Sequence, residues 1–298
     1  MEDAHHFAKL RRVEEATDNG SIESSPDFEP VEIAVLHPTP NDPPWNSIIA
    51  ILVWIASVVA IVLVPSVFLL PYVISQHYSL GDNKALGELL QKDPTAILLQ
   101  IAAVIPAHLL TLLLAWAVVT KLNRFSFKET LGWASGGMNW RHYLVILVLF
   151  FAVAAVVGNY LPEQENDLTR ILKSSRLAVF LVAFLATFTA PIVEEVVYRG
   201  ILYSAFQRTV GVAFAVAAVT LLFALVHVPQ YYPSYSTISL LLLLSLILSL
   251  VRARTGNLWP CIVLHTIFNA TQSILLILEP YMNTANPVID PTTSFFLK

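Results

Sequence analysis

The residues most able to do chemistry in this 298-residue chain sit where apolar side chains would be expected. Glu194-Glu195-Val196-Val197-Tyr198-Arg199-Gly200 follows Pro191 inside a hydrophobic run, and Phe223-Ala-Leu-Val-His227 and His265-Thr-Ile-Phe-Asn269 fall in two later runs. A single His108 follows Pro106 in an earlier one. Placing an ionisable group in a membrane helix costs at least about 2.5 kcal/mol on insertion scales, so such groups are paired, hydrated or functional. Taken together, the first three clusters hold what a peptide hydrolysis needs. A carboxylate can take a proton from water and an imidazole can share it. An amide and a second imidazole can hydrogen-bond the oxyanion of a tetrahedral carbon. Neither a Gly-x-Ser-x-Gly nor a His-Glu-x-x-His pattern is present, which argues against a serine nucleophile of that type and against the familiar zinc helix.

Spacing divides these groups further. Glu195 and Arg199, four apart, share a helix face and are expected to pair. Glu194 points about 100° away and has no local cation, which leaves it free to accept a proton. Pro191 cannot donate to the carbonyl of Thr187, so a kink is expected beside Glu194. The bland alternative is an ion pair at a membrane boundary, with Glu194 reaching for headgroups; this segment alone weighs the two alternatives equally. His227, alone near a span end and followed by Pro229, reads by itself as an interfacial or hydrogen-bonded residue. His265 and Asn269 aim at one spot from deep in an apolar helix and need partners inside a bundle. His108 has no matching partner and reads as a polar packing contact.

The elements that must position these groups are membrane helices. Hydrophobic residues make up 56% of the chain and charged residues 13%, too few to cover a water-facing surface. The apolar residues fall in blocks of around twenty, the length that crosses roughly 30 Å of hydrocarbon. The expected fold is an all-α, polytopic transmembrane bundle of about seven spans, near 47–75, 96–120, 142–161, 177–207, 210–228, 236–252 and 258–279. Residues 1–45, acidic and rich in Ser and Pro, cannot bury a core and read as a disordered tail. Then come N-terminal transmembrane helices over 46–175, the helices carrying the polar groups over 176–280, and a C-terminal tail over 281–298. The first span lacks the short basic region of a cleavable signal and is expected to stay in the mature protein.

Lys121, Arg124, Lys128, Arg141, Arg208, Arg252 and Arg254 mark the loops of one side, predicting a cytoplasmic N-terminus. The membrane would be the cell membrane in a bacterium and an endomembrane in a eukaryote. Trp45, Trp133, Trp140 and Trp259 near span ends suit the headgroup zone, whereas Trp54 and Trp116 read as packing. Membrane lipid is therefore a partner. Nucleic acid is not expected, because ten acids lie in the first 42 residues and no basic patch of binding size appears. Cys261 is the sole cysteine, which excludes an intrachain disulfide and a Cys-based zinc site.

The order Glu-Glu-x-x-x-Arg, Phe-x-x-x-His, His-x-x-x-Asn on successive late helices resembles the CPBP or Abi group of intramembrane endopeptidases, which includes the type II CAAX prenyl proteases. The resemblance covers roughly residues 177–275. It implies an endopeptidase acting on a membrane-associated peptide or protein tail, with Glu194 and His227 activating water, His265 and Asn269 stabilising the oxyanion, and Glu195 with Arg199 holding the geometry. No cofactor is needed for that chemistry; zinc held by Glu194, His227 and His265 is the second choice. A proton-coupled transporter and a non-catalytic immunity or scaffold protein are the competing functions. Straight-helix counting places His227 near the outer end of span five and His265 about two turns from the inner end of span seven. Their meeting requires tilted helices or different boundaries between Arg199 and Val212.

Overall fold

A computed structural model describes residues 37–79 and 81–285; most of the expected N-terminal tail and the residues after 285 lie outside the described residues. Among the described residues ten helices follow one another: α1 Ser47–Ser75, α2 Asn83–Lys92, α3 Pro94–Thr120, α4 Phe127–Leu131, α5 Trp140–Tyr160, α6 Asp167–Ser174, α7 Arg176–Val210, α8 Val212–Tyr231, α9 Tyr235–Thr255 and α10 Trp259–Ala285. Seven of them, α1, α3, α5 and α7 to α10, are long and apolar enough to cross a membrane, and they agree with the seven expected spans to within a few residues. Polar caps set their starts: Asn46 accepts from the Ile49 N–H, Asp93 from Ala96 ahead of Pro94, and Ser175 from Ala178. Ile48, Leu52, Val59, Val62, Leu109 and Leu113 face outward on α1 and α3, the side chains a lipid solvent covers.

The main core lies around the second half of α7. Val196, Val197, Tyr198, Ile201, Leu202 and Tyr203 are buried there against Trp45, Val53, Val119, Leu131, Phe223 and Leu258. A second cluster joins Phe150 of α5 with Leu244 and Leu248 of α9 and Cys261, Leu264 and Phe268 of α10. Two tryptophan expectations need correction. Trp45 is 2% exposed and donates its indole N–H to the Ile201 carbonyl, so it anchors protein rather than headgroups. Trp116, read as packing, is 39% exposed on the lipid-facing side of α3. Residues 37–45, read as the end of an unstructured tail, instead form a strap. Thr39 and Asp42 bridge a tight turn, and Asn41, Asp42, Pro43 and Trp45 receive hydrogen bonds from Gln207 and Arg208 of α7. Gly132, at φ +80°, lets this corner close: a Cβ there would lie 2.9 Å from Pro40 Cγ and 2.8 Å from Asn257 Oδ1.

The depth conflict between His227 and His265 is resolved by the length of α7. Ile201 lies level with Trp45, and its neighbour Gly200 packs beside Leu131 and Leu258, where α10 is about to begin. Past that level α7 continues nine residues to Val210, about 14 Å, before the chain reverses. His227, fifteen residues into α8, therefore climbs about 23 Å and finishes only about 9 Å above Ile201. Glu194 is seven residues before Ile201 and His265 seven after Leu258, each about 10 Å above the same level. All three arrive at one depth.

Candidate active site

α7 carries the acidic pair through two widened stretches. Leu185–Thr189 and Val196–Leu202 are π-helical, with bonds five residues apart. Such insertions are frequent at functional sites, and the ladder skips a carbonyl when it returns to four-residue spacing. The Ala190 N–H goes to Leu185, and Pro191 has no N–H to offer, so the Ala186 carbonyl is left without a helical donor. Asn269 Nδ2 of α10 supplies the missing bond at 2.8 Å. The Tyr203 N–H goes to Tyr198, which skips Arg199; that carbonyl takes Arg252 Nε of α9 at 3.2 Å. Instead of a simple kink, α7 has two swellings, each closed by a side chain of another helix.

Glu195 and Arg199 are wholly buried, with Arg199 Nη1 2.9 Å from Glu195 Oε1. Arg199 Nη2 also donates to Ser245 Oγ at 2.7 Å and to the Ser245 carbonyl at 2.8 Å, and the guanidinium lies 4.8 Å from the Phe223 ring centroid. Glu195 Oε1 accepts a second bond, from His265 Nδ1 at 2.8 Å. The Phe223 carbonyl accepts from His227 Nδ1 at 2.7 Å. Phe223 therefore works at both ends: its ring floors the Arg199, His227 and His265 cluster, and its backbone orients one imidazole.

These bonds fix the rings. A carbonyl or a carboxylate only accepts, so both Nδ1 atoms carry hydrogen. The remaining Nε2 atoms face Glu194, His227 at 4.0 Å from Oε1 and His265 at 3.8 Å from Oε2. Glu194 is 23% exposed and His227 19%, while Glu195 and Arg199 are sealed, so the two glutamates have opposite surroundings one residue apart. A gap of 4.0 Å is too long for a direct hydrogen bond, but one water about 2.8 Å from each atom spans it at an angle of about 90°.

The alternative ligand set meets a geometric test here. Two donors on a tetrahedral zinc, each about 2.0–2.1 Å from it, are only about 3.3 Å apart. The Glu194 to histidine separations exceed that, and among the described residues no group of three His, Cys, Asp or Glu side chains is gathered as a metal site. As placed, these residues do not fit the ion.

His108 lies outside this cluster and donates Nδ1–H to Thr189 Oγ1 at 2.9 Å, the polar contact expected of it. Thr189 Oγ1 in turn donates to the Leu185 carbonyl. Two participants escape a sequence reading: Ser245 lies in a serine-leucine run that reads as plain span sequence, and Arg252 reads as a loop charge yet is 1% exposed. A signal existed for both: Ser245, Ser249 and Arg252 recur at helical spacing, which puts a polar stripe on one face of an otherwise leucine-rich span. Trp54, read as packing, does lie against the main core and also donates to Tyr198 OH at 3.1 Å.

Neither the curated proteins nor the solved structures give a match to this chain. The stretch that supplies Glu194, Glu195, Arg199, His227, His265 and Asn269, residues 176–271, matches the family model described as Type II CAAX prenyl endopeptidase Rce1-like, the same kind of membrane endopeptidase that the three motifs resemble.

Proposed function

We propose that this protein is an intramembrane endopeptidase in which Glu194 activates the attacking water. The observation that carries the reading is the Glu194 carboxylate set between two Nε2 atoms, at 4.0 and 3.8 Å. A water there gives one proton to Glu194 and directs its other hydrogen to His227 Nε2, while its oxygen attacks the scissile carbonyl carbon. The C=O pair moves onto oxygen. To donate to that oxyanion, His265 acts as the imidazolium, with Nδ1–H on Glu195 and Nε2–H on the oxyanion. The charges of Arg199, Glu195, His265 and Glu194 then alternate and sum to zero. Asn269 keeps one Nδ2 hydrogen on Ala186 and has the other for the oxyanion. Collapse of the intermediate breaks the C–N bond, and Glu194 passes its proton to the leaving amine.

The substrate class is a membrane-associated peptide or protein tail, and the family description makes a prenylated C-terminal tail the first probe. The test compares wild type with Glu194→Gln in proteoliposomes, using a fluorogenic peptide ending in prenyl-cysteine plus three residues and its unprenylated twin. General-base loss reduces turnover by about 100- to 10,000-fold, with the amount of protein in the membrane unchanged. Cleavage by the variant at the wild-type rate would sink the mechanism. Retention of a cellular phenotype by a variant that does not cleave would favour a scaffold or immunity role.

A further inference from the structure

Arg252 is a buried arginine with no ion pair among the described residues. Its neighbour in the sequence stretch, Arg254, is exposed, as a loop charge should be. Every polar contact of the Arg252 guanidinium is to a neutral oxygen: Nε to the Arg199 carbonyl at 3.2 Å, Nη1 to Asn41 Oδ1 at 3.0 Å, and Nη2 to the Pro40 carbonyl. The plane packs 5.1 Å from the centroid of Tyr203, on the last turn that the π-helical stretch feeds into. A desolvated cation without a counterion is costly, and three directed bonds are what hold it there.

The oxygen at the Nε end is the carbonyl skipped where α7 returns from five-residue to four-residue spacing. The same residue's side chain grips Glu195, which orients His265, which faces Glu194. A continuous set of contacts therefore runs from the turn at Thr39–Asp42 through Arg252 to the reacting carboxylate. We propose that Arg252 is a positioning residue for peptide cleavage, and that the Pro40–Asn41 turn, gripped by its guanidinium fork, sets the geometry of the acidic pair. This rests on the reading of Glu194 as the hydrolytic base. A lysine cannot replace the fork, because one ammonium does not reach the Arg199, Asn41 and Pro40 oxygens together.

The test uses the full chain in lipid nanodiscs, with Arg252→Gln, Arg252→Lys and Asn41→Ala. Two quantities are read: amide hydrogen exchange over 196–206, and kcat and KM for the prenyl-peptide probe. Exchange over 196–206 is expected to quicken in both Arg252 variants while the distal end of α1 exchanges as in wild type. With a displaced base, kcat falls about 10- to 100-fold at a KM within about twofold of wild type. Asn41→Ala, which removes one bond at an exposed residue and leaves the Arg252 bond to the Arg199 carbonyl in place, falls between these variants and wild type in both readouts. Unchanged exchange over 196–206 in a folded Arg252→Gln protein overturns the proposal, as does full recovery of kcat by lysine. So does a loss of activity that only tracks the folded fraction. The two readouts also separate this idea from the one beneath it. Should Glu194→Gln cleave normally, the hydrolytic reading fails, and the exchange data still decide whether Arg252 and the turn hold α7.

Discussion

Replacing Glu195 by Gln separates the buried pair from the reactive glutamate beside it. Glu195 is fully enclosed and its Oε1 accepts from both Arg199 and His265, so the amide leaves the Arg199 guanidinium buried without its counter-charge. Losing one member of a buried pair costs about 3–5 kcal/mol. Arg199 keeps its two bonds to Ser245 and its place over the Phe223 ring, which puts the expected loss at the lower end, about 3 kcal/mol, or roughly 150-fold in the folded-to-unfolded ratio. Arg199→Met strands the carboxylate instead and loses a similar amount. The double variant Glu195→Gln/Arg199→Met strands no charge, so it is expected to be more stable than either single one, which requires a coupling energy of at least about 3 kcal/mol. Unfolding by denaturing-detergent titration in mixed micelles measures all three. Strict additivity, or a double variant less stable than both singles, would refute the account of this pair. Glu194→Gln in the same assay is expected to lie within about 0.5 kcal/mol of wild type, since Glu194 is partly exposed and has no ion pair shorter than 3.8 Å.

Asn269→Ala leaves the Ala186 carbonyl without a donor and is expected to cost about 1–3 kcal/mol of stability, with faster exchange over 185–192 as its local signature. Asn269→Asp, acceptor-only when ionised, should fare no better. Outside the spans, Glu163 in the loop between α5 and α6 has its carboxyl pushed up from 4.5 to about 7, by desolvation first and by the Glu279 carboxylate second. The folded state holds that proton more tightly than the unfolded chain. Its contribution to stability is therefore full below about pH 4.5 and lost as pH rises through about 7. Stability of Glu163→Gln, followed by the same titration between pH 5 and 8, is expected to fall less over that interval than that of wild type.

Much of this arrangement was legible in the residues. Seven spans followed from runs of apolar side chains, because a bilayer leaves a chain few other ways to satisfy its backbone. The Glu195–Arg199 pair followed from a spacing of four. The same rule put His265 and Asn269 on one face of α10, but their partners differ, Glu195 for the imidazole and the Ala186 carbonyl for the amide. What was not legible was depth. Counting assumed that each helix ends at the membrane surface, whereas α7 runs nine residues past Ile201 before turning, and that overshoot brings His227 level with His265. The widened ladder was hidden too. Pro191 announced a missing donor, but whether a helix answers with a kink or with π-helical turns depends on whether another helix can supply a bond. Asn269 and Arg252 do so here, and although each is a polar residue on an apolar helix, its spacing does not say which carbonyl it serves. The buried state of Arg252 and Trp45 was concealed because both sit near span ends, where a charge and an indole are normally explained by headgroups.

The most direct test of the central claim is the cleavage rate of the prenyl-peptide probe by chelator-treated wild type and by Glu194→Gln, each assayed for bound metal by elemental analysis. Both histidines have Nδ1–H anchored as zinc-ligating histidines often do, so the metal content belongs in the same measurement. A metal-free Glu194 base gives full wild-type cleavage with less than stoichiometric metal and a loss of about 100-fold or more in Glu194→Gln. Cleavage that rises and falls with a stoichiometric zinc, or that survives the loss of the Glu194 carboxylate, would contradict it.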